Sequence, residues 1–175
     1  MHLLDNKGKW YAGFVKTGDE DNVRKRLEYR FTGKDIHVFV PKRKLRERKN
    51  GLWETKIRSL FPGYVLINGL LGYDEYYLMK NIPGLITVLR DRSMFYEIVP
   101  DEMKILCSLI CNSEIIGTST ILSDSGRIAV VEGPLVGLEG LIVSLNRRKG
   151  RVKVRLNFIG EERMVDLDMN VLQNV

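Results

Sequence analysis

Arg151-Val152-Lys153-Val154-Arg155-Leu156-Asn157-Phe158 alternates charged or polar residues with apolar ones without a break. Side chains along a strand point to opposite faces in turn. The spacing therefore predicts a half-buried strand, with Val152, Val154 and Leu156 inward and Arg151, Lys153 and Arg155 on one solvated face. Outward from it, Ile128–Val131, Leu141–Leu145 and Met164–Leu167 are short β-prone runs between charged or glycine-containing turns. Gly133, Gly137 and Gly140 fall where a tight loop joins two of these runs, and their plain reading is turn geometry. No helical period interrupts them, so a small all-β unit is expected over 126–175.

Upstream the pattern changes. Residues 113–125 are rich in Ser and Thr and read as a linker, stiffened by Ile115, Ile116, Ile121 and Leu122. Before them, β-prone runs alternate with helical ones. Lys9–Val15, Ile36–Val40, Tyr64–Ile67 and Leu85–Leu89 are predicted strands. Val23, Leu27 and Phe31 recur at helical spacing in a segment closed near Gly33. Further helices are expected over Asp74–Ile82 and after Pro100, the latter with Met103, Leu106 and Ile110 on its apolar stripe. One sheet covered by helices is the expected architecture of residues 1–112.

The charge distribution narrows the function. The net charge is +6, which admits an anionic partner. The last 52 residues, 124–175, hold 8 Lys and Arg against 7 Asp and Glu, so basic character there must come from clustering. It does: Arg147-Arg148-Lys149-Gly150 fills a turn and runs directly into the alternating strand. Arginine forks onto phosphates and base edges, which favours RNA binding by Arg147, Arg148, Lys149, Arg151, Lys153 and Arg155. A second basic run, Lys42-Arg43-Lys44-Leu45-Arg46-Glu47-Arg48-Lys49, precedes the hairpin signal Asn50-Gly51 and Leu52-Trp53-Glu54-Thr55-Lys56-Ile57-Arg58. It reads as a long solvated β-ribbon or a mobile loop, whose charge either discourages sheet aggregation or touches nucleic-acid phosphates, DNA being the candidate partner near 42–49.

Other classes recede. His2 and His37 sit near no catalytic-looking cluster, no phosphate-binding glycine loop precedes a helix with its lysine, and no catalytic residue, metal or cofactor is expected. Cys107 and Cys111 lie four apart in a helix-like stretch and read as half-buried thiols rather than ligands. Neither a signal sequence nor a bilayer-spanning run is evident, so a cytoplasmic monomer without membrane contact is expected.

Two sets of residues carry a family resemblance. Lys9-Trp10-Tyr11, Phe39-Val40-Pro41, Leu60-Phe61-Pro62-Gly63-Tyr64-Val65 and Ile82-Pro83-Gly84, in that order, resemble the amino-terminal (NGN) domain of NusG transcription factors. Gly133-Pro134-Leu135-Val136-Gly137-Leu138-Glu139-Gly140 with Asn157-Phe158-Ile159-Gly160 resembles the KOW motif and its closing turn. The resemblance implies an α+β chain: an NGN-type α/β sandwich of antiparallel sheet and flanking helices at 1–112, a linker at 113–125, and an SH3-like KOW barrel at 126–175. It also implies RNA polymerase as partner, its clamp helices meeting Phe14, Phe61, Tyr64 and Leu66, with Val88 a weaker match. Asn146-Arg147-Arg148-Lys149-Gly150-Arg151 resembles the LoaP group of specialised antiterminators, which implies an RNA hairpin as second partner. Glu161-Glu162 departs from the basic residue usual after the closing turn, which speaks against Rho or ribosome binding. The broader reading is a general NusG elongation factor working through protein contacts.

Overall fold

The computed structural model describes residues 8–92, 94–110, 113–124 and 126–172. His2, Cys111 and the first seven residues lie outside this set. The described chain divides into two compact units. One comprises the residues up to Pro41 together with Phe61–Lys104; the other comprises Lys42–Leu60 and the chain from Ile105 onward.

The first unit is built on an antiparallel sheet of order β2-β5-β1-β6, from β1 (Lys9–Val15), β2 (His37–Phe39), β5 (Tyr64–Gly69) and β6 (Leu85–Val88). Helix α1 (Glu20–Arg30) lays Val23 and Leu27, with Phe31 just beyond its end, into one cluster with Tyr11, Val15, Val65 and Ile67. The 3.6-residue period of the helix meets the two-residue period of the strands on the same face. Helix α2 (Tyr73–Met79) ends three residues earlier than expected; Glu75 accepts the Gly72 N–H at 2.9 Å and so closes its first turn. Two short strands absent from the sequence reading, β7 (Arg90–Asp91) and β8 (Met94–Phe95), pair after β6.

Helix α3 (Pro100–Ile110) buries Met103, Leu106 and Ile110 as its stripe requires, and Cys107 beside them as a free thiol. Burial pushes the Cys107 thiol up, away from the reactive thiolate. The boundary between the two units runs through this helix.

The second unit contains a five-stranded sheet of order β11-β10-β14-β13-β12. Its strands are β10 (Ser119–Asp124), β11 (Arg127–Glu132), β12 (Ile142–Asn146), β13 (Arg151–Phe158) and β14 (Glu161–Leu172). β14 is far longer than the expected run: its first part pairs antiparallel with β13, and its last residues pair parallel with β10. The expected linker therefore carries β10, and also β9 (Ile115–Ile116). Its hydroxyl side chains suit an extended backbone as well as a loop, and Ile121 is fully buried.

The basic segment forms the hairpin of β3 (Lys42–Lys49) and β4 (Leu52–Ser59), turning at Asn50-Gly51, both with positive φ. β9 pairs in parallel with the start of β3. Although the hairpin lies early in the sequence, it belongs to the second unit, because its arginines are bonded there.

Candidate nucleic-acid interface

β13 shows strict alternation. Val152, Val154, Leu156 and Phe158 are buried, Lys153, Arg155 and Asn157 are exposed, and Arg151 is half-buried. β14 complements it, with Val165 and Leu167 buried opposite Val154 and Val152. The three bases thus share one face, but not all are equally available. Arg151 lies 3.7 Å from Asp166 and Arg155 lies 3.7 Å from Glu162. Pairs this long contribute little, the exposed Arg155–Glu162 pair least, and an incoming phosphate can displace the carboxylate.

At the end of this face Arg147, Arg148 and Lys149 are all exposed on the turn joining β12 to β13. The Asn146 side chain accepts the Lys149 N–H at 3.0 Å, and Gly150 donates to Arg147 O at 3.3 Å, so the turn is tied down from inside while its charges face out. Arg147 also donates to the Ser123 hydroxyl at 3.0 Å. Gly150 has φ +62°, and a Cβ there would approach the Arg46 guanidinium to 2.8 Å. The positive φ favours glycine, and any larger residue would have to push the end of the Arg46 side chain aside.

The hairpin spends much of its charge internally. Arg46 Nε donates to Asp168 Oδ1 at 2.9 Å and Arg46 Nη2 donates to Met169 O. Thr118 Oγ1 donates to Asp168 Oδ2 at 2.6 Å, and the carboxylate is only 2% exposed. Asp168 points away from the side occupied by Val165 and Leu167, and Arg46 with Thr118 satisfies it there. Arg43 donates to Asp166 O at 2.7 Å, and burial pulls its guanidinium pKa down, with Asp166 opposing and Arg151 adding to the fall. Arg58 forks onto Glu47 at 2.9 and 3.2 Å. The sequence reading missed Arg46, Asp168 and Thr118 as a group. Nothing local marks them, since the three meet only through the long-range approach of β3 to β14.

Two clefts flank the turn. One, of about 170 Å³, is lined by Ser144, Asn146, Lys149, Arg151, Lys153 and Asp166. The other, of about 530 Å³, lies between the hairpin and the turn; Arg46, Trp53, Arg147, Arg148, Lys149 and Gly150 line it together with residues 169–171 of β14. Five of the six expected RNA-binding residues border one cleft or the other, and Arg155 lies further along β13.

In the first unit, β1 and β5 bring Phe14 opposite Tyr64, ring centroids 5.5 Å apart, and Ala12 opposite Leu66. This is the sheet face opposite α1. Phe14 is 38% exposed and Tyr64 half-buried, whereas Phe61, Leu66 and Val88 are buried. The aromatic surface is therefore the Phe14–Tyr64 pair. Glu20, itself buried, holds it in place by accepting the Gly63 N–H at 2.7 Å and the Gly18 N–H at 2.9 Å. The Ile82-Pro83-Gly84 turn is fixed similarly, Arg26 donating to Pro83 O at 2.7 Å.

Among the described residues no three His, Cys, Asp or Glu side chains come together as a metal site, and no helix is long and apolar enough to cross a membrane.

Comparison with known proteins gives the family. The family model described as transcription termination factor nusG matches residues 8–107. Transcription termination/antitermination protein NusG of Halalkalibacterium halodurans is 27% identical over 174 residues, covering 95% of this chain and 98% of its own. The protein of the same description from Bacillus subtilis is 26% identical over 174 residues, with 95% and 98% covered. A solved structure of Thermotoga maritima NusG shares the fold, with TM-score 0.59 and 18% identity over 93% of this chain and 94% of that one. The family match spans β1 through most of α3, including every turn motif of the first unit, and on that ground the chain belongs to the NusG family.

Proposed function

We propose that this NusG-family chain is an operon-specific elongation and antitermination factor that grips RNA polymerase with its first unit and a leader RNA hairpin with its second. The observation that carries the reading is the exposed basic turn Arg147-Arg148-Lys149, continuous with Lys153 and Arg155 on one face of β13. That many exposed cations in one place suit the phosphates of a nucleic acid. On this reading the five-stranded sheet is the KOW barrel, consistent with the alternating burial along β13. The NGN domain of 1–112 meets the polymerase clamp helices at Phe14, Phe61, Tyr64 and Leu66, of which Phe14 and Tyr64 are the accessible pair and Phe61 and Leu66 are buried. Binding favours the elongating state over the paused one by differential affinity. Holding the hairpin raises the local concentration of the factor at its own polymerase. The A-form stem is read through phosphates, 2′-hydroxyls and shape, with sequence selectivity at a loop or bulge.

Transcription in vitro tests this on a template carrying the leader of the operon next to its gene, followed by a terminator. Readthrough should rise with the intact hairpin and stay at the basal level when the hairpin is scrambled. Equal readthrough on both templates would support a general NusG. That second reading is favoured by the end-to-end match to relatives named simply NusG and by the acids beside Arg151 and Arg155.

A further inference from the structure

The larger cleft has a feature that phosphate binding does not explain. Trp53 on β4 is 55% exposed, an unusual position for a tryptophan on a highly charged hairpin. In the hairpin register it stands opposite Arg48, two residues beyond the Arg46–Thr55 pair, so its indole shares a face with Arg46. Arg46 is anchored by Asp168 and Met169 O, and that anchor sets where this face lies against the 147–150 turn. The result is a recess lined by Trp53 and Arg46 of the hairpin, by Arg147, Arg148 and Lys149 of the turn, and by Met169, Asn170 and Val171 of β14. Its volume, about 530 Å³, is ample for one nucleotide.

We infer that this recess takes one unpaired RNA base, stacked on the Trp53 indole while its flanking phosphates meet Arg147, Arg148 and Lys149. The inference rests on the RNA-binding reading above and deepens it. An indole face stacks on any base, whereas the surrounding cations hold a backbone on either side of it. A duplex stem alone cannot fill the recess, because its bases are already stacked and paired. The ligand it fits is a bulged, looped or single-stranded nucleotide. Arg46 is held by Asp168 and acts as a positioning residue for the wall that carries Trp53.

The chain contains 2 tryptophans, and Trp10 is buried, so fluorescence quenching by added ligand reports on Trp53. The full chain is titrated with hexauridylate, with an abasic sugar-phosphate hexamer of the same charge, and with a blunt RNA duplex. Hexauridylate should quench saturably, while the abasic hexamer and the duplex bind without quenching. Affinities read by isothermal titration calorimetry, which needs no indole, should show Trp53→Ala weakening hexauridylate on the order of tenfold with the abasic hexamer unchanged, and Trp53→Tyr restoring most of the loss. Because Trp53 is largely exposed, its truncation leaves the core intact, and a circular-dichroism melt verifies this. If Arg147→Ala with Arg148→Ala abolishes binding while Trp53→Ala has no effect, RNA binding stands and the stacking site is overturned. If no RNA binds at all, both fall.

Discussion

The hairpin at 42–59 and the turn-and-strand at 147–155 look alike in sequence, each dense in arginine and lysine, yet the structure uses them in opposite ways. In the hairpin, Arg43 and Arg46 are spent on backbone carbonyls and the buried Asp168, and Arg58 on Glu47. In the turn, the hydrogen bonds that fix the backbone come from Asn146 and Gly150, leaving the three cationic side chains exposed. A run of bases therefore says how much positive charge a segment carries and not whether it is available. Availability depends on whether buried carboxylates and unpaired carbonyls lie within reach. The hairpin meets them on β14; among the described residues the side chains of the turn meet the Ser123 hydroxyl, from Arg147.

The comparison can be broken by substitution. Replacing Arg147, Arg148 and Lys149 together with alanine should lower RNA affinity by about a hundredfold at moderate salt, read by fluorescence anisotropy. Stability should change by no more than about 0.5 kcal/mol, since all three are surface side chains. Asp168→Ala should act first on stability. It removes the acceptor that Arg46 and Thr118 share, and urea unfolding should show a loss of about 2 kcal/mol. A smaller effect is expected from Arg48→Ala with Lys49→Ala at the hairpin tip, where RNA affinity should fall less than about threefold. A loss matching the turn variant there would erase the distinction between the two segments.

The smallest effect concerns acid. The Arg58 guanidinium hydrogen-bonded to Glu47 holds its carboxyl below the usual carboxylate range. A lowered folded-state pKa means that its stabilising contribution is present above the ordinary carboxylate value and is lost as pH falls through the lowered one. Glu47→Gln should therefore flatten the acid limb of the stability profile slightly and leave neutral pH nearly unchanged, because the pair is largely solvated.

Much of this was legible from local pattern. Asn50-Gly51 marked the turn of the hairpin, in a segment that read equally as a mobile loop; the unbroken alternation from Arg151 specified β13 and its exposed face, and Val23, Leu27 and Phe31 specified the buried stripe of α1. Strand parity by itself sets Tyr64 and Leu66 on one face and Val65 and Ile67 on the other, in agreement with the β1–β5 register. What escaped were features created by long-range pairing. β10 lay in a stretch whose serines and threonines read as a linker, and it becomes a strand by pairing with β14 at the far end of the chain. The Arg46–Asp168 bond spans 122 residues. Trp53 was visible as a strand residue, but its place on the wall of a basic recess depends on that bond. Burial of Phe61 and Leu66 was equally hidden, since alternation assigns a face without saying what covers it.

The central claim is that the exposed cations of the 147–155 face hold RNA. The most direct test is the affinity of the full chain for the leader hairpin of its neighbouring operon, against a shuffled hairpin, across a salt series. Tighter binding to the true hairpin is expected, with a steep salt dependence whose slope becomes shallower by about two to three when Arg147, Arg148 and Lys149 are replaced by alanine. Weak binding, equal for both RNAs and with a slope unmoved by the substitutions, would contradict the account and leave a factor that works through its protein contacts alone.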